Sequence, residues 1–301
     1  MNKFAELWQY VETVKPEIEE TLNKSLPLAP AALSSTDFND ALHYSVFPGG
    51  KRLRPVLTLL GAELVGGQRK KVLPASAAVE FVHTSSLIFD DLPCMDDANQ
   101  RRGKTALHQK FGEGNAVLVG LALLNASYGL VFKGVRNDCN TCAELAMRAH
   151  RELVECIGES GMVGGQSVDL AMANGAVSDA NDFESLRNLK TSALMRMALR
   201  LGAILSGASA RQSNCLSEFA ELLGDAYQTS DDLLDLGEDL HLTQATERRA
   251  TFALEQGSER AGERVASLTC KAKKILRDEF GETEATKLLS LMADYIAERK
   301  A

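Results

Sequence analysis

The sequence predicts an all-α protein, a single bundle of about ten or more helices. Apolar residues recur at spacings of three and four along most of the chain, for example at Leu53, Val56, Leu57, Leu60 and Leu64, and this spacing places them on one face of a helix. Sustained period-two alternation is missing, and no Asn-Gly or Asp-Gly hairpin signal lies between β-branched segments, so strands are not expected. Proline and glycine clusters divide the chain into these helices.

Length and composition are typical of one globular domain over residues 1–301. The chain is 45 % hydrophobic and 25 % charged, the balance of a soluble protein. Residues 1–25 carry five glutamates and neither a cationic start nor a long apolar run, so we expect an N-terminal helix packing outside the core rather than a signal peptide. Since no segment approaches the roughly 20 uncharged apolar residues of a membrane span, a cytoplasmic protein without an integral membrane segment is expected.

Charge and cysteine content argue against two classes of protein. The formal net charge is −8, whereas a general nucleic-acid binder needs a basic face to displace counterions, so no nucleic acid is expected as a partner. The six cysteines are too sparse for a disulfide scaffold, and the single CxxC, Cys139–Cys142, has no second pair at metal-site spacing. We therefore expect reduced, mostly packed thiols.

Three aspartates lie near the end of a long predicted helix, roughly residues 212–238. Asp231 and Asp235 are four residues apart and share a face, with Asp232 about 100° further round. At an effective dielectric constant near 20, two such charges about 4 Å apart repel by roughly 4 kcal/mol. A helix in an otherwise apolar stretch carries that repulsion only with full solvent exposure or with a cation beside the carboxylates.

Another predicted helix, roughly residues 70–92, runs into the aspartates Asp90, Asp91, Asp96 and Asp97. On a straight helix Asp90 and Asp96 lie about 120° apart, so Pro93 must bend or end the helix if both are to face one ion. Carboxylates without histidine or thiolate partners select Mg²⁺, which shares phosphate oxygens with a substrate. Two such clusters predict a diphosphate held between them.

Two compact basic groups accompany the acidic clusters. They are Gly49-Gly50-Lys51-Arg52-Leu53-Arg54-Pro55 and Arg101-Arg102-Gly103-Lys104. Arginine binds phosphate oxygens through its bidentate fork and lysine as a point charge. Any one of these acidic or basic groups is also typical of a solvated helix end, but the combination predicts a site for a phosphorylated substrate.

Five motifs resemble, in order, those of the trans-isoprenyl diphosphate synthases. They are GGKRLRP at 49–55, SLIFDDLPCMDD at 86–97 with the RRG that follows, GGQSVDL at 164–170, Lys190-Thr191, and LGDAYQTSDDLLD at 223–235. The resemblance is closest to the bacterial and plastid-type farnesyl and geranylgeranyl diphosphate synthases. It implies one polyprenyl synthetase domain with the isoprenoid synthase fold, an all-α bundle around a deep central cavity, usually in a homodimer.

The resemblance also implies a prenyltransferase that condenses isopentenyl diphosphate with an allylic diphosphate and binds about three Mg²⁺ ions. The implied metal ligands are Asp90, Asp96, Asp231 and Asp235, and the implied catalytic set is Asp90, Asp91, Asp96, Lys190, Asp231 and Asp232. The isopentenyl diphosphate pocket would be formed by Lys51, Arg54, His83 and Arg102. Contacts to the allylic diphosphate would come from Arg101, Lys190, Thr191 and Gln228.

Product length is expected to depend on the helix that ends at Asp90. Ser86, Ser85 and Val82 lie within about 80° of the face of Asp90, along the path of a growing chain. The position matching Ser85 is aromatic in many farnesyl-producing relatives, so a serine there favours the C20 geranylgeranyl product over C15 farnesyl. Phe89 is expected to point elsewhere and to matter less.

Two alternative functions remain open at this point. The segment after Asp235 is about six residues shorter than in the family, with Arg249 nearest the missing lysine, which is compatible with a weakly active enzyme or a non-catalytic regulatory subunit of a prenyl diphosphate synthase. A class I terpene cyclase shares an aspartate-rich motif. Such a cyclase normally has an Asn/Ser/Glu-type second site instead of DDLLD, and needs no second diphosphate pocket at GGKRLRP.

Overall fold

The computed structural model describes residues 3–30, 37–47, 49–133, 140–173, 180–239 and 257–298. This part of the chain forms twelve helices, so the all-α prediction is confirmed. They are α1 (Ala5–Ser25), α2 (Phe38–Val46), α3 (Leu53–Leu64), α4 (Arg69–Asp90), α5 (Leu107–Phe111), α6 (Glu113–Leu130), α7 (Asn140–Ile157), α8 (Met162–Ala173), α9 (Ala180–Leu205), α10 (Ala210–Asp239), α11 (Ser258–Phe280) and α12 (Glu284–Glu298).

Helix α4 lies at the centre of the bundle and packs against α1, α3, α6 and α9. Most of its residues are buried, including Val79, Phe81 and Val82 with no exposed surface. Its length and apolar composition would allow it to cross a membrane, but 78 % of its apolar window is buried inside the protein. Burial on every side follows from its sequence, because apolar and small residues cover the whole helix surface instead of one stripe.

Helix α1 contacts α3, α4 and α12. Its apolar stripe consists of Leu7, Val11, Val14, Ile18 and Leu22, all at most 1 % exposed, at the three- and four-residue spacing of one helix face. This stripe belongs to the same hydrophobic core as the central helices, whereas its glutamate-rich side is mostly exposed.

A small antiparallel hairpin is the only sheet in the described residues. Its strands, β1 (Gln100–Arg101) and β2 (Lys104–Thr105), pair Gln100 with Thr105 and Arg101 with Lys104. Both loop residues have positive φ, 53° at Arg102 and 73° at Gly103, as a type I′ turn requires. Two-residue strands are too short for an alternating pattern, which is why no periodicity in the sequence indicated them.

Candidate active site

The first aspartate cluster lies where α4 ends. The helix stops at Asp90 and Asp91 is its C-cap, so the prediction that the helix ends ahead of Pro93 is confirmed; proline disfavours the helical conformation at the residue before it. The chain then folds back, because the amide of Asp96 donates to the carbonyl of Asp90 at 2.9 Å. Asp90 and Asp96 are thereby brought together at one end of the bundle, with Asp90 buried and Asp96 exposed.

Asp90 is joined to α8 and α9 through Lys190. The Nζ of Lys190 donates to Asp90 Oδ2 at 2.6 Å and to Gln166 Oε1 at 2.6 Å. The helices approach closely here, since a Cβ on Gly165 would lie 2.8 Å from the backbone nitrogen of Lys190. Burial raises the pKa of Asp90 above its ordinary value, and Lys190 opposes that shift. The carboxylate is therefore desolvated but held beside one cation.

Arg101 and Asp91 form a second ion pair in this region. Arg101 Nε donates to Asp91 Oδ1 at 2.8 Å, and this hydrogen bond raises the pKa of Arg101. Asp91 is 4 % exposed, so its charge is compensated within the protein. Asp91 therefore anchors the hairpin to the end of α4.

The second aspartate cluster lies on α10. Asp231 lines a cavity of about 350 Å³, and Gln228 Nε2 donates to Asp232 Oδ1 at 3.3 Å. The side chain of Asp235 lies outside the described residues, as does the shortened segment with Arg249.

We call the 350 Å³ space the carboxylate cavity. It brings together side chains from α3, α4, the hairpin, α8, α9 and α10. Its polar and charged lining consists of Arg54, His83, Ser86, Asp90, Arg101, Asp169, Lys190, Thr191, Gln228 and Asp231. Asp90 of the first cluster and Asp231 of the second, about 140 residues apart in sequence, therefore line one cavity.

The donors of the carboxylate cavity fit Mg²⁺ shared with a substrate. Asp90, Asp169 and Asp231 line it, and Asp96 is close enough to raise the pKa of Asp90. In the described residues, no three His, Cys, Asp or Glu side chains converge tightly enough to hold an ion alone. Mg²⁺ commonly takes one or two carboxylates, completing its shell with water and substrate phosphate oxygens. The arrangement matches that mode of binding.

A neighbouring space of about 300 Å³, the guanidinium cavity, is lined by Gly50, Lys51, Arg52, Leu53, Arg54, Glu80, His83, Arg102 and Tyr227. It shares Arg54 and His83 with the carboxylate cavity. The four residues implied for isopentenyl diphosphate thus line one cavity, and the four implied for the allylic diphosphate line the other.

His83 connects the two arginines of the guanidinium cavity. Arg54 Nη1 and Arg102 Nη2 each lie 3.2 Å from His83 Nε2. Because guanidinium groups only donate, Nε2 is the acceptor and the proton is on Nδ1, which makes the imidazole neutral. Burial and the charge of Arg54 lower the pKa of His83 well below its ordinary value. The Nε of Arg54 is buried without a hydrogen-bond partner.

Arg52 fixes the loop that carries Lys51 and Arg54. It has a left-handed φ of 54° and is 4 % exposed. Its guanidinium donates to Glu19 Oε1 on α1 at 2.8 Å and to Glu80 Oε1 on α4 at 2.5 Å. Removing one partner of such a buried pair leaves an uncompensated charge. Arg52 is therefore a structural bridge, unlike its two basic neighbours.

Of the residues implied for product length, Ser85 faces α6, Ser86 faces the carboxylate cavity, and Val82 is fully buried. Ser85 is fully buried and its Oγ donates to the carbonyl of Gly120 at 2.9 Å, while Ser86 lines the carboxylate cavity. The expectation that Phe89 points elsewhere is wrong, because its ring packs so near Gly120 that a Cβ there would meet it at 2.8 Å. The reason is helix geometry, since residues four apart share a face.

Sequence reasoning assigned no role to Gln166, which accepts a hydrogen bond from Lys190, or to Asp169 and Tyr227, which line the two cavities. The first two belong to the GGQSVDL segment and the third to LGDAYQTSDDLLD, so the signal was present without an assigned role. The five cysteines in the described residues are free thiols, and burial raises the pKa of Cys156 to about 12. Cys139 lies outside the described residues.

Comparison with known proteins supports the resemblance seen in the motifs. A family model described as polyprenyl synthetase matches residues 35–252. The chain is 34 % identical to geranylgeranyl pyrophosphate synthase 6, mitochondrial, of Arabidopsis thaliana over 98 % of this chain and 91 % of that protein. It is 37 % identical to the heterodimeric geranylgeranyl pyrophosphate synthase large subunit 1, chloroplastic, of the same plant, covering 93 % and 77 %.

A solved structure agrees with the fold. The apo FPP/GFPP synthase from Zymomonas mobilis matches with a TM-score of 0.84 at 30 % identity, over 97 % of this chain and 98 % of that one. The predicted fold and the predicted enzyme class, a prenyltransferase, are confirmed. The family model spans more than half of the chain, and the chain therefore belongs to the polyprenyl synthetase family.

Proposed function

We propose that this protein joins isopentenyl diphosphate head-to-tail to an allylic diphosphate and releases an all-trans prenyl diphosphate. The observation that carries the proposal is the pair of adjoining cavities with different chemistry. One has carboxylates and Lys190, which suits a diphosphate held with Mg²⁺. The other has Lys51, Arg54 and Arg102 around a neutral imidazole, which suits a diphosphate bound by cationic side chains alone.

In this proposal the allylic substrate lies in the carboxylate cavity. Lys190, Arg101, Thr191 and Gln228 bind and orient its diphosphate, the leaving group. Asp90, Asp96, Asp231 and Asp235 would hold Mg²⁺, which would neutralise negative charge on this diphosphate. Cationic side chains preorganised around developing negative charge lower the barrier to breaking the carbon–oxygen bond. The product of that step is an allylic cation.

Isopentenyl diphosphate occupies the guanidinium cavity, where Lys51, Arg54 and Arg102 bind its diphosphate. His83 accepts hydrogen bonds from both arginines and so holds their guanidinium groups in position. The double bond of this substrate attacks the allylic cation, forming a carbon–carbon bond. A proton is then lost to the released diphosphate, so the chemistry asks for no side-chain nucleophile.

Within this activity we propose the C20 product, geranylgeranyl diphosphate, ahead of C15. Ser85 and Ser86 are small residues on the α4 face that leads away from Asp90. Two plant relatives are named geranylgeranyl pyrophosphate synthases, whereas the Zymomonas relative is named an FPP/GFPP synthase.

We also propose that the whole chain is one domain that acts as a homodimer. Helix α6 packs against α4 and leaves Val117, Leu118 and Leu121 exposed, at 37 %, 55 % and 51 %. Met147 on α7 and Val163 on α8 are also exposed. A concentration of exposed apolar residues on one face is typical of a subunit interface. The proposed compartment is the cytoplasm, because the apolar helix α4 is a core element.

A regulatory role is the second candidate. One relative is named a large subunit of a heterodimeric synthase, and the exposed face of α6 could equally contact a different chain. A regulatory subunit is typically recognised by a broken aspartate cluster, and here both clusters are intact.

The test is a product assay. Purified protein is incubated with Mg²⁺, labelled isopentenyl diphosphate and, separately, the C5, C10 and C15 allylic diphosphates. Chromatography should detect a labelled C20 diphosphate, and excess chelator should abolish it. Absence of any elongated product with all three allylic substrates would favour the regulatory subunit.

A further inference from the structure

The ammonium group of Lys51 lies between two aromatic rings from opposite ends of the described chain. Its Nζ is 5.1 Å from the ring centroid of Trp8 on α1 and 5.1 Å from that of Tyr295 on α12. It also donates a hydrogen bond of 2.6 Å to the phenolic oxygen of Tyr295. The two rings meet edge to face with centroids 5.0 Å apart. We call Trp8 and Tyr295 the aromatic clamp.

The aromatic clamp is held together by contacts that do not involve Lys51. Phe4 packs edge to face on Tyr295 with centroids 5.5 Å apart. Ion pairs join α12 to α1 and to the residue ahead of it, with Lys287 bridging to Glu6, and Lys3 bridging to Glu298 and Asp294. The rings therefore stay in place if the lysine leaves them.

The clamp holds the ammonium against rings that are not part of the guanidinium cavity. Lys51 lines that cavity, but neither Trp8 nor Tyr295 does. Among the described residues, no carboxylate lies within ion-pairing distance of Lys51. A cation–π contact at an exposed site is weaker than a charge-assisted hydrogen bond to a phosphate oxygen. A diphosphate in the cavity would therefore compete successfully for the ammonium.

We propose that Trp8 and Tyr295 hold Lys51 in a resting position and yield it to the diphosphate of the incoming substrate. The inference rests on the proposed function, which places isopentenyl diphosphate in the guanidinium cavity. Trp8 and Tyr295 are then positioning residues that act through Lys51. Apparent affinity is reduced by the fraction of molecules in the binding-competent state, so the clamp raises the KM for isopentenyl diphosphate.

The first test uses the emission of Trp8, the only tryptophan in the chain. Inorganic diphosphate and isopentenyl diphosphate are titrated without an allylic substrate. The expected result is a saturable change in emission that is lost in Lys51→Met. Unchanged emission in a protein that forms prenyl product overturns the clamp and leaves the proposed function standing. A Lys51-dependent change in a protein that forms no product supports the clamp and contradicts the proposed function.

The second test is kinetic. Tyr295→Phe keeps the ring but removes the hydrogen bond to Lys51, so the KM for isopentenyl diphosphate should fall about two- to fivefold, with kcat and the allylic KM unchanged. Trp8→Leu should lower it similarly, and neither change should act in a Lys51→Met background. Tyr10→Phe, a matched change on α1 away from Lys51, should have no effect. A raised KM in Tyr295→Phe, which a merely structural role would produce, overturns the proposal.

Discussion

Two guanidinium groups share one neutral imidazole in the guanidinium cavity. Arg54 and Arg102 both point at His83 Nε2, and a single acceptor cannot match two positive charges. Glu80 also lines this cavity, but it is already paired with Arg52. An anionic ligand in the cavity would match this uncompensated positive charge through charge-assisted hydrogen bonds.

His83 should make stability depend on pH in a defined direction. Its pKa in the folded protein lies well below 6.5, so below pH 6.5 His83 becomes protonated in the unfolded chain but stays neutral in the native state. Stability should therefore be lost as the pH falls from 6.5 towards the folded pKa, at up to about 1.4 kcal/mol per pH unit for this group. His83→Gln should remove that part of the slope. Urea unfolding at pH 7.5, 6.5 and 5.5 measures it, and equal slopes in both proteins would contradict this account.

Asp90 and Asp231 should be essential for turnover but not for folding. Asp90→Asn or Asp231→Asn should lower kcat by about a hundredfold or more, because each removes a carboxylate proposed to hold Mg²⁺. The unfolding free energy of Asp90→Asn should fall only modestly, since burial already disfavours the Asp90 charge and Lys190 keeps its hydrogen bond to Gln166.

Asp97→Asn is the matched control for this comparison. Asp97 lies in the same loop, is exposed and has a positive φ of 48°, a conformation that asparagine tolerates. Its kcat should match that of the wild type. Near-normal turnover in both Asp90→Asn and Asp231→Asn would remove the metal role.

At the scale of elements, the end of α4 could be read from the sequence, whereas the hairpin could not. Pro93 ends a helix by a local steric rule, so position alone predicts it. The hairpin depends on a left-handed Arg102, which no sequence pattern marks. The wrong expectation for Phe89 has another cause. It compared the helical angle of Phe89 with that of Asp90, whereas the four-residue spacing from Ser85 places Phe89 on the face of α4 that packs against α6.

The contact of α4 with α6 should set product length. Ser85→Phe adds a ring beside Gly120, so the main product should shorten to C15 or C10. Phe89→Ala removes a ring from the same face and should lengthen it. Ser85→Ala, which loses only the hydrogen bond to Gly120, should leave the product unchanged. Chromatography of the labelled products measures all three, and an unchanged length in Ser85→Phe and Phe89→Ala would place the cavity floor on another helix.

For the whole molecule, the sequence indicated which residue types form the site, but not which of them contact one another in the folded protein. The resemblance assigned four residues to each diphosphate. The four for isopentenyl diphosphate line the guanidinium cavity and the four for the allylic diphosphate line the carboxylate cavity, with Arg54 and His83 shared between the two cavities. Contacts such as Lys190 with Asp90 and Gln166 join segments far apart in sequence, and their distances follow from packing of α4, α8 and α9. The clamp around Lys51 likewise depends on how α1 meets α12.

The exposed face of α6 should decide the oligomeric state. Leu118→Asp with Leu121→Asp places two charges on a face that the proposed dimer buries, at a high desolvation cost. Light scattering after size exclusion should give a dimer for the wild type and a monomer for this variant, with helical content unchanged. Glu113→Ala, at the exposed start of α6, should remain a dimer. A monomeric wild type would contradict the homodimer.

Two adjoining cavities are proposed to hold two different diphosphates, and steady-state kinetics with each substrate varied in turn distinguishes their roles. Loss of a charge-assisted hydrogen bond to phosphate costs about tenfold or more in binding. Arg102→Gln, at a residue that lines the guanidinium cavity and not the carboxylate cavity, should therefore raise the KM for isopentenyl diphosphate about tenfold with little change for the allylic substrate. Lys190→Met should do the reverse and also lower kcat. Equal losses for both substrates in both variants, or an exchange of the two effects, would contradict the account.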